Sequence, residues 1–181
     1  PIAARQLEEA GIADDTVIVI SPDHYPYALE RSATWGNAEN YLTELYGVTE
    51  MDRFTRDSNA LIIWSGCLED KNLKVETPVY SLDILPTLSN LFGLNYDSRL
   101  LVGRDVFSDT EPLVLWPEYS WKTDKGTYDS GSRTFTPAEG VEVDDSYVDR
   151  IKAIVSNKIS YSREVQNLKY FQVLSDFLNG K

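Results

Sequence analysis

The sequence predicts an α/β fold, in which a sheet flanked by helices is followed by a small antiparallel β excursion and C-terminal helices. Short apolar runs alternate with amphipathic helical segments over residues 1–116, an order typical of α/β proteins. The apolar runs are continuous, which favours strands buried on both faces, as in a parallel sheet. Residues 117–140 are instead rich in Gly, Ser, Thr, Asp and Tyr. We therefore expect a division into residues 1–116 and 117–181.

The first part of the chain is predicted to alternate helices with strands. In chain order the elements are helix 2–10, strand 16–20, helix 38–46, strand 60–64, a hairpin-like stretch at 68–72 and a short strand at 73–76. Gly11 and Gly47 directly follow helical apolar spacing, and glycine is a common C-terminal stop. Asn37 is a suitable N-cap for the second helix.

The second part is predicted to contain a strand, a hairpin and three helices. These are helix 82–92, strand 113–116, a hairpin over 119–128, a helix that Asp144 caps, and helix 162–178. Pro86 is tolerated because it falls in the first turn. The predicted inward faces are Leu85, Leu88, Leu91 and Phe92; Tyr147, Val148, Ile151, Ile154 and Val155; and Val165, Leu168, Phe171, Leu174 and Phe177.

Length and charge narrow the function classes. The 181 residues suffice for one good core, alone or with an appendage. A net charge of −12 disfavours nucleic-acid binding, because an acidic chain repels phosphate backbones. The single cysteine, Cys67, allows no intrachain disulfide. The chain opens at Pro1 inside a helix-like segment, so we expect it to be a piece of a longer protein.

Asp23 and His24 follow the most strand-like segment, residues 16–20. Ligands and metals bind beyond the carboxyl ends of strands in open α/β sheets. A carboxylate and an imidazole delivered there together form a candidate pair of ligands for a divalent metal. The alternative is a histidine satisfied within a loop, with Asp23 as a turn residue.

The order of motifs resembles the C-terminal part of the sulfatase group of the alkaline phosphatase superfamily, and most of all its lipoteichoic acid synthase-like branch in Gram-positive bacteria. Residues 83–88, Asp-Ile-Leu-Pro-Thr-Leu, are similar to the Asp-x-x-Pro-Thr-Leu helix of that group. Residues 103–108 and 120–124 also look like that branch. The resemblance covers roughly residues 1–130 well and the final helices loosely. It implies an alkaline phosphatase-like sheet.

The resemblance also implies a metal-dependent enzyme. Asp23 and His24 would be two metal ligands, a donor set suited to Mn²⁺ or Mg²⁺, with Ca²⁺ as an alternative. Pro22 stands where the family more often has Gly or Ser. The nucleophile and remaining ligands would lie in a missing N-terminal half, so these residues would be inactive alone. The substrate would be a phosphate or sulfate ester such as phosphatidylglycerol, at the extracellular face of the cytoplasmic membrane, with the anchor outside these residues.

Three functions stay open: a phosphoglycerol transferase, a sulfatase or phosphodiesterase on the same fold, and a non-catalytic binding domain. Tyr25 and Arg104 are candidate substrate contacts. The alternatives are that Tyr25 is a packing aromatic and that Arg104 forms a surface ion pair with Asp105 or another carboxylate. Trp121 and Tyr128 are interpreted as surface-contact residues, and Asp83 as a helix or turn cap. An exposed sheet edge would allow self-association.

Overall fold

The computed structural model describes residues 2–25, 38–71 and 73–180. The chain divides into two compact units, an N-terminal unit, Pro1–Lys74, and a C-terminal unit, Val75–Lys181. Two antiparallel sheets and C-terminal helices make the described part mixed α/β. The predicted class is confirmed, and the arrangement is compatible with the C-terminal part of an alkaline phosphatase-like fold. The predicted division at residue 116 stays a prediction.

The N-terminal unit carries three helices and a two-stranded sheet among its described residues. They are α1 (Ile2–Glu9), β1 (Ile18–Ile20), α2 (Ala38–Tyr46), α3 (Arg53–Arg56) and β2 (Ile62–Trp64). The predicted glycine stops are confirmed, because Gly11 and Gly47 adopt φ of 70° and 65° just after α1 and α2. The predicted cap of α2, Asn37, lies outside the described residues.

The parallel-sheet prediction is wrong for this unit. Strands β1 and β2 pair antiparallel, with Ile18 opposite Trp64. Ile20 and Ile62 are 55% and 52% exposed, so the continuous apolar runs do not mark strands covered on both faces. Parallel pairing is largely confined to sheets covered in that way. The predicted hairpin and strand after β2 are also wrong, because Gly66–Lys71 is a 3₁₀ helix and residues 73–76 are irregular.

The C-terminal unit combines an antiparallel meander with helices. Two 3₁₀ turns, Ser81–Asp83 and Ser98–Leu100, flank α4 (Ile84–Leu91). The remaining elements are β3 (Val114–Leu115), β4 (Trp121–Thr123), β5 (Gly126–Asp129), β6 (Thr134–Pro137), α5 (Tyr147–Asn167) and α6 (Tyr170–Leu178). The four strands are ordered β3-β4-β5-β6. The predicted hairpin is therefore confirmed, and β6 extends it.

The core of the C-terminal unit lies between this sheet and α5. Its buried members are Trp121, Tyr128, Tyr147, Ile151, Val155 and Ile159. The Trp121 ring stacks on Tyr128 at 5.5 Å between centroids and meets Tyr147 edge-on at 6.1 Å. The interpretation of Trp121 and Tyr128 as surface contacts is wrong. Directly paired residues of neighbouring strands share one face of the sheet, and here that face is the one that α5 covers.

The terminal helices differ from the prediction in extent and burial. Helix α5 runs to Asn167, and Lys169 then adopts a left-handed conformation that separates it from α6. The predicted inward stripes are partly wrong, since these members are well exposed: Leu85, Leu91, Phe92, Ile154, Leu168, Phe171 and Phe177. Periodicity identifies side chains that share a face, but not whether another element covers it. None of the helices in the described ranges is long and apolar enough to cross a membrane.

Candidate functional site

Asp23 and His24 lie together just after β1. His24 Nε2 is 3.5 Å from Asp23 Oδ1, and the two side chains are 44% and 88% exposed. Neither side chain is packed into a core, and they do not point apart. A separation of this size is compatible with two ligands of one ion, each about 2.1 Å from it.

A hydrogen bond determines which nitrogen of His24 can act as a ligand. His24 Nδ1 lies 2.6 Å from the carbonyl oxygen of Tyr25. Because a carbonyl can only accept, Nδ1 carries the proton and donates it. In the neutral imidazole the lone pair is then on Nε2, the nitrogen that faces Asp23. Such a backbone partner fixes the tautomer of metal-binding histidines, so the arrangement suits a divalent cation.

Tyr25 is held by an arginine that the sequence analysis missed. The guanidinium carbon of Arg56 lies 4.5 Å from the centroid of the half-buried Tyr25 ring, a cation–π contact. Arg56 also pairs with Asp57 at 2.9 Å between Nε and Oδ1. The only sequence signal was Asp52, which caps the short helix α3 that carries Arg56. The loop that bears Asp23 and His24 is thereby anchored and has a cation beside it.

The number of ligands is the limiting feature of the site. Among the residues that the structure describes, no group of three or more His, Cys, Asp or Glu side chains could hold a metal ion. A catalytic ion usually has three protein ligands. The donor types of Asp23 and His24 fit the implied metal, but the described residues bring together only these two candidate ligands, fewer than a catalytic ion needs.

Arg104, in the C-terminal unit, is engaged in structural contacts. Its guanidinium donates to the carbonyl oxygens of Asp105 and Val106, at 3.3 and 3.4 Å, and to Thr77 Oγ1 at 3.2 Å. The carboxylate of Asp105 instead accepts from Asn90 Nδ2 at 2.7 Å. Arg104 therefore contacts the backbone of Asp105, and its role as a substrate contact stays a prediction.

Asp83 joins the two sequence motifs of this unit. Its carboxylate is 1% exposed and accepts from the backbone N–H groups of Arg104, at 2.8 Å, and Tyr80, at 3.2 Å. The second bond confirms the predicted capping of the turn before α4. Burial raises the pKa of the Asp83 carboxyl, while these hydrogen bonds and the charges of Arg104 and Lys158 oppose the rise. Burial also lowers the pKa of Lys158.

Thr87 and Gly103 complete the junction between the motifs. Thr87 Oγ1 donates to the carbonyl oxygen of Asp83 at 2.6 Å and accepts from Val106 N at 3.1 Å. A Cβ atom on Gly103 would lie 2.0 Å from the carbonyl oxygen of Leu82, so only glycine allows this backbone approach. The motifs at 83–88 and 103–108 therefore dock on each other and stabilise the unit.

Comparison with known proteins gives one distant relative. No family model matches the chain. The chain is 25% identical over 169 residues to lipoteichoic acid synthase 2 of Bacillus subtilis (strain 168). The match covers 90% of this chain but 24% of the relative, so the chain spans about a quarter of that protein's length. The chain is thus similar, at a distance, to a lipoteichoic acid synthase.

Proposed function

We propose that this chain is the C-terminal portion of a metal-dependent phosphoglycerol transferase of the lipoteichoic acid synthase type, with Asp23 and His24 as two of its metal ligands. The observation that carries the proposal is the solvent-open pair of His24 Nε2 and Asp23 Oδ1, 3.5 Å apart. The similarity over 90% of the chain to lipoteichoic acid synthase 2 favours this reaction class.

The residues of this chain would orient the site. His24 keeps its proton on Nδ1 through the Tyr25 carbonyl, so that Nε2 stays available. The Asp23 carboxylate contributes a hard anionic donor. Bound Mn²⁺, Mg²⁺ or Ca²⁺ would supply Lewis-acid activation of a hydroxyl nucleophile and balance charge on the phosphoryl oxygens. The nucleophile and the other ligands would come from the N-terminal half of the enzyme.

The substrate and location belong to the same proposal. The substrate class is a phosphate or sulfate ester, with phosphatidylglycerol as the donor, and the site of action is the extracellular face of the cytoplasmic membrane. Of the two predicted substrate contacts, we favour Tyr25, because it adjoins the metal pair. The Arg104 guanidinium is already bonded to two carbonyls and Thr77.

The test is Mn²⁺ calorimetry on the complete enzyme, comparing the wild type with Asp23→Ala and His24→Ala. Both variants should lose metal binding and turnover of a fluorescent phosphatidylglycerol analogue. Asp109→Ala, at another exposed aspartate, is the matched control. Because Asp23 is 88% exposed, its substitution should change the free energy of unfolding by less than about 0.5 kcal/mol.

The outcomes separate the candidate functions. Metal binding that persists in both variants refutes the ligand assignment. Metal-dependent release of the headgroup to water, without transfer to an acceptor, identifies a hydrolase such as a phosphodiesterase. Absence of turnover in a wild-type enzyme that binds metal rejects the phosphatidylglycerol donor.

A further inference from the structure

The C-terminal unit contains an open groove of about 490 Å³, remote in sequence from the metal pair. This volume falls within the ~300–1,000 Å³ range of small-molecule sites. The groove is lined by the segment at residues 76–78 and by residues of β4, β5 and β6 and their adjoining turns. Its lining is Glu76, Thr77, Pro78, Lys122, Thr123, Asp124, Gly126, Thr127, Thr136, Pro137 and Ala138.

A row of three polar side chains crosses the floor of the groove. Lys122 on β4 pairs with Thr127 on β5, which pairs with Thr136 on β6. Directly paired residues share a face and have Cβ atoms about 5 Å apart, so an ammonium and two hydroxyls stand side by side. The opposite face of the same strands carries Trp121 and Tyr128 and is buried. The row is therefore held by a rigid, packed sheet.

These three side chains keep their hydrogen-bonding capacity. Within the described ranges, neither the ammonium of Lys122 nor the hydroxyls of Thr127 and Thr136 has a protein partner, whereas Thr123 Oγ1 on the other face bonds to the Tyr147 hydroxyl at 2.8 Å. The groove is open, so these groups are accessible to solvent. A ligand with several hydroxyls can replace that solvent without leaving a polar group unpaired.

The charge and shape of the lining select among ligand classes. The lining includes the carboxylates of Glu76 and Asp124 and one ammonium, Lys122, so it offers no net positive charge to attract an anion. A purely apolar ligand would strip water from the floor without compensation. Pro78, Pro137 and Ala138 nevertheless add apolar groups to the lining. Hydroxyl donors and acceptors combined with C–H surface characterise a neutral sugar.

We propose that this groove binds a neutral saccharide of one or two units, with Lys122, Thr127 and Thr136 contacting its hydroxyls. The carboxylate of Asp124 accepts a hydrogen bond from a further sugar hydroxyl. All residues of this site belong to the C-terminal unit, whereas Asp23 and His24 belong to the N-terminal unit. The site would add carbohydrate recognition to whatever chemistry the metal pair supports.

The test is an NMR titration of the full ¹⁵N-labelled chain with maltose, cellobiose and chitobiose. We expect saturable shifts of the Lys122, Thr127 and Thr136 amides with at least one of these sugars. Thr127→Val and Thr136→Val should each weaken that binding roughly 3- to 10-fold, the effect of one lost hydrogen bond. Valine keeps the shape and strand preference of threonine, so the fold should persist.

Thr134→Val is the matched control, because Thr134 is on β6 and on the same face as Thr136 but outside the groove. It should bind as the wild type does. The proposal is overturned if no sugar gives saturable shifts at concentrations that would fill a site of about 1 mM affinity. It is also overturned if inorganic phosphate displaces the sugar, or if the control weakens binding as much as the groove variants. If glycerol binds as tightly as the disaccharides, the groove is a site for small polyols and the saccharide proposal is overturned.

Discussion

At the scale of single residues, Asp83 combines burial with charge in an informative way. Asp83 is 1% exposed, and this burial makes ionisation of its carboxyl costly. Two backbone N–H groups offset part of that cost, as do the positive charges of Arg104 and Lys158, but the pKa is still raised. The folded state therefore binds a proton more tightly than the unfolded chain does. By linkage, the contribution of Asp83 to stability is largest below its unfolded pKa and falls as pH rises through the raised pKa.

We expect Asp83→Asn to remove this pH dependence. The free energy of unfolding of the wild type minus that of the variant should decrease as pH rises from about 4. It should become constant above the folded-state pKa of Asp83. Chemical denaturation of both proteins from about pH 4 to about pH 8 measures the difference and cancels the titration of the other carboxylates. An increase with pH would show that the hydrogen bonds outweigh burial.

Gly103 is a second residue whose identity is restricted by its surroundings, because the backbone of Leu82 leaves no room for a side chain. In Gly103→Ala the new Cβ would lie 2.0 Å from a backbone oxygen of Leu82, which cannot rotate away. We expect a loss of about 3 kcal/mol in the free energy of unfolding, at the upper end for overpacking. Gly131→Ala is the control, because its nearest neighbour is the side-chain tip of Asp129 at 3.1 Å. Equal losses in thermal unfolding would show that the contact at Leu82 relaxes.

At the scale of elements, sequence patterns predicted most helices but not their surroundings. Helical spacing and glycine stops located α1 and α2 within a residue or two of their ends. The strand direction of β1 and β2 was not predictable, since an apolar run records hydrophobicity and not the partner strand. The exposed stripe of α6 shows the same limit. Local sequence encodes element type, whereas burial depends on distant residues.

The side chain of Trp121 links β4 to α5. It is fully buried and contacts Tyr128, Phe135 and Tyr147 by ring packing. Trp121→Ala should lower the free energy of unfolding by about 3–5 kcal/mol, as for other large core truncations. The comparison is Tyr161→Ala on α5, whose side chain is 41% exposed. Urea denaturation should give a much smaller loss for that control, and similar losses would contradict the core assignment.

The boundary between α5 and α6 depends on one strained residue. Lys169 has φ of 50° and ψ of 42°, a region that costs non-glycine residues about 1–2 kcal/mol. Lys169→Gly should relieve this strain and, after the added entropy of the unfolded chain, raise stability by about 0.5–1 kcal/mol. Ala153→Gly, inside α5, should instead destabilise by about 1 kcal/mol. If both variants have a lower midpoint of thermal unfolding than the wild type, Lys169 does not adopt the left-handed conformation in solution.

At the scale of the whole molecule, the position of Asp23 and His24 after a strand was predictable from the sequence, but their surroundings were not. Asp23 and His24 were found from their place after a strand, but the Arg56 contact with Tyr25 joins segments separated by 30 residues of chain. The carbohydrate groove likewise depends on the register of three strands. Such sites depend on contacts between residues that are distant in sequence, and local periodicity cannot predict those contacts. Self-association through an exposed sheet edge stays a prediction.

The two compact units should differ in their ability to fold alone. The C-terminal unit, residues 75–181, contains the four-stranded sheet and the aromatic core beneath α5, and a sheet packed on a helix can be stable by itself. Among the described residues of the N-terminal unit, the buried ones are Ala4, Leu42 and Ser65, and a two-stranded sheet is marginal in water. We therefore expect residues 75–181 to unfold cooperatively on heating, and residues 1–74 to show no cooperative transition, by circular dichroism. Cooperative unfolding of residues 1–74 alone, or its absence in residues 75–181, would show that the stability of this molecule is distributed differently from its buried apolar surface.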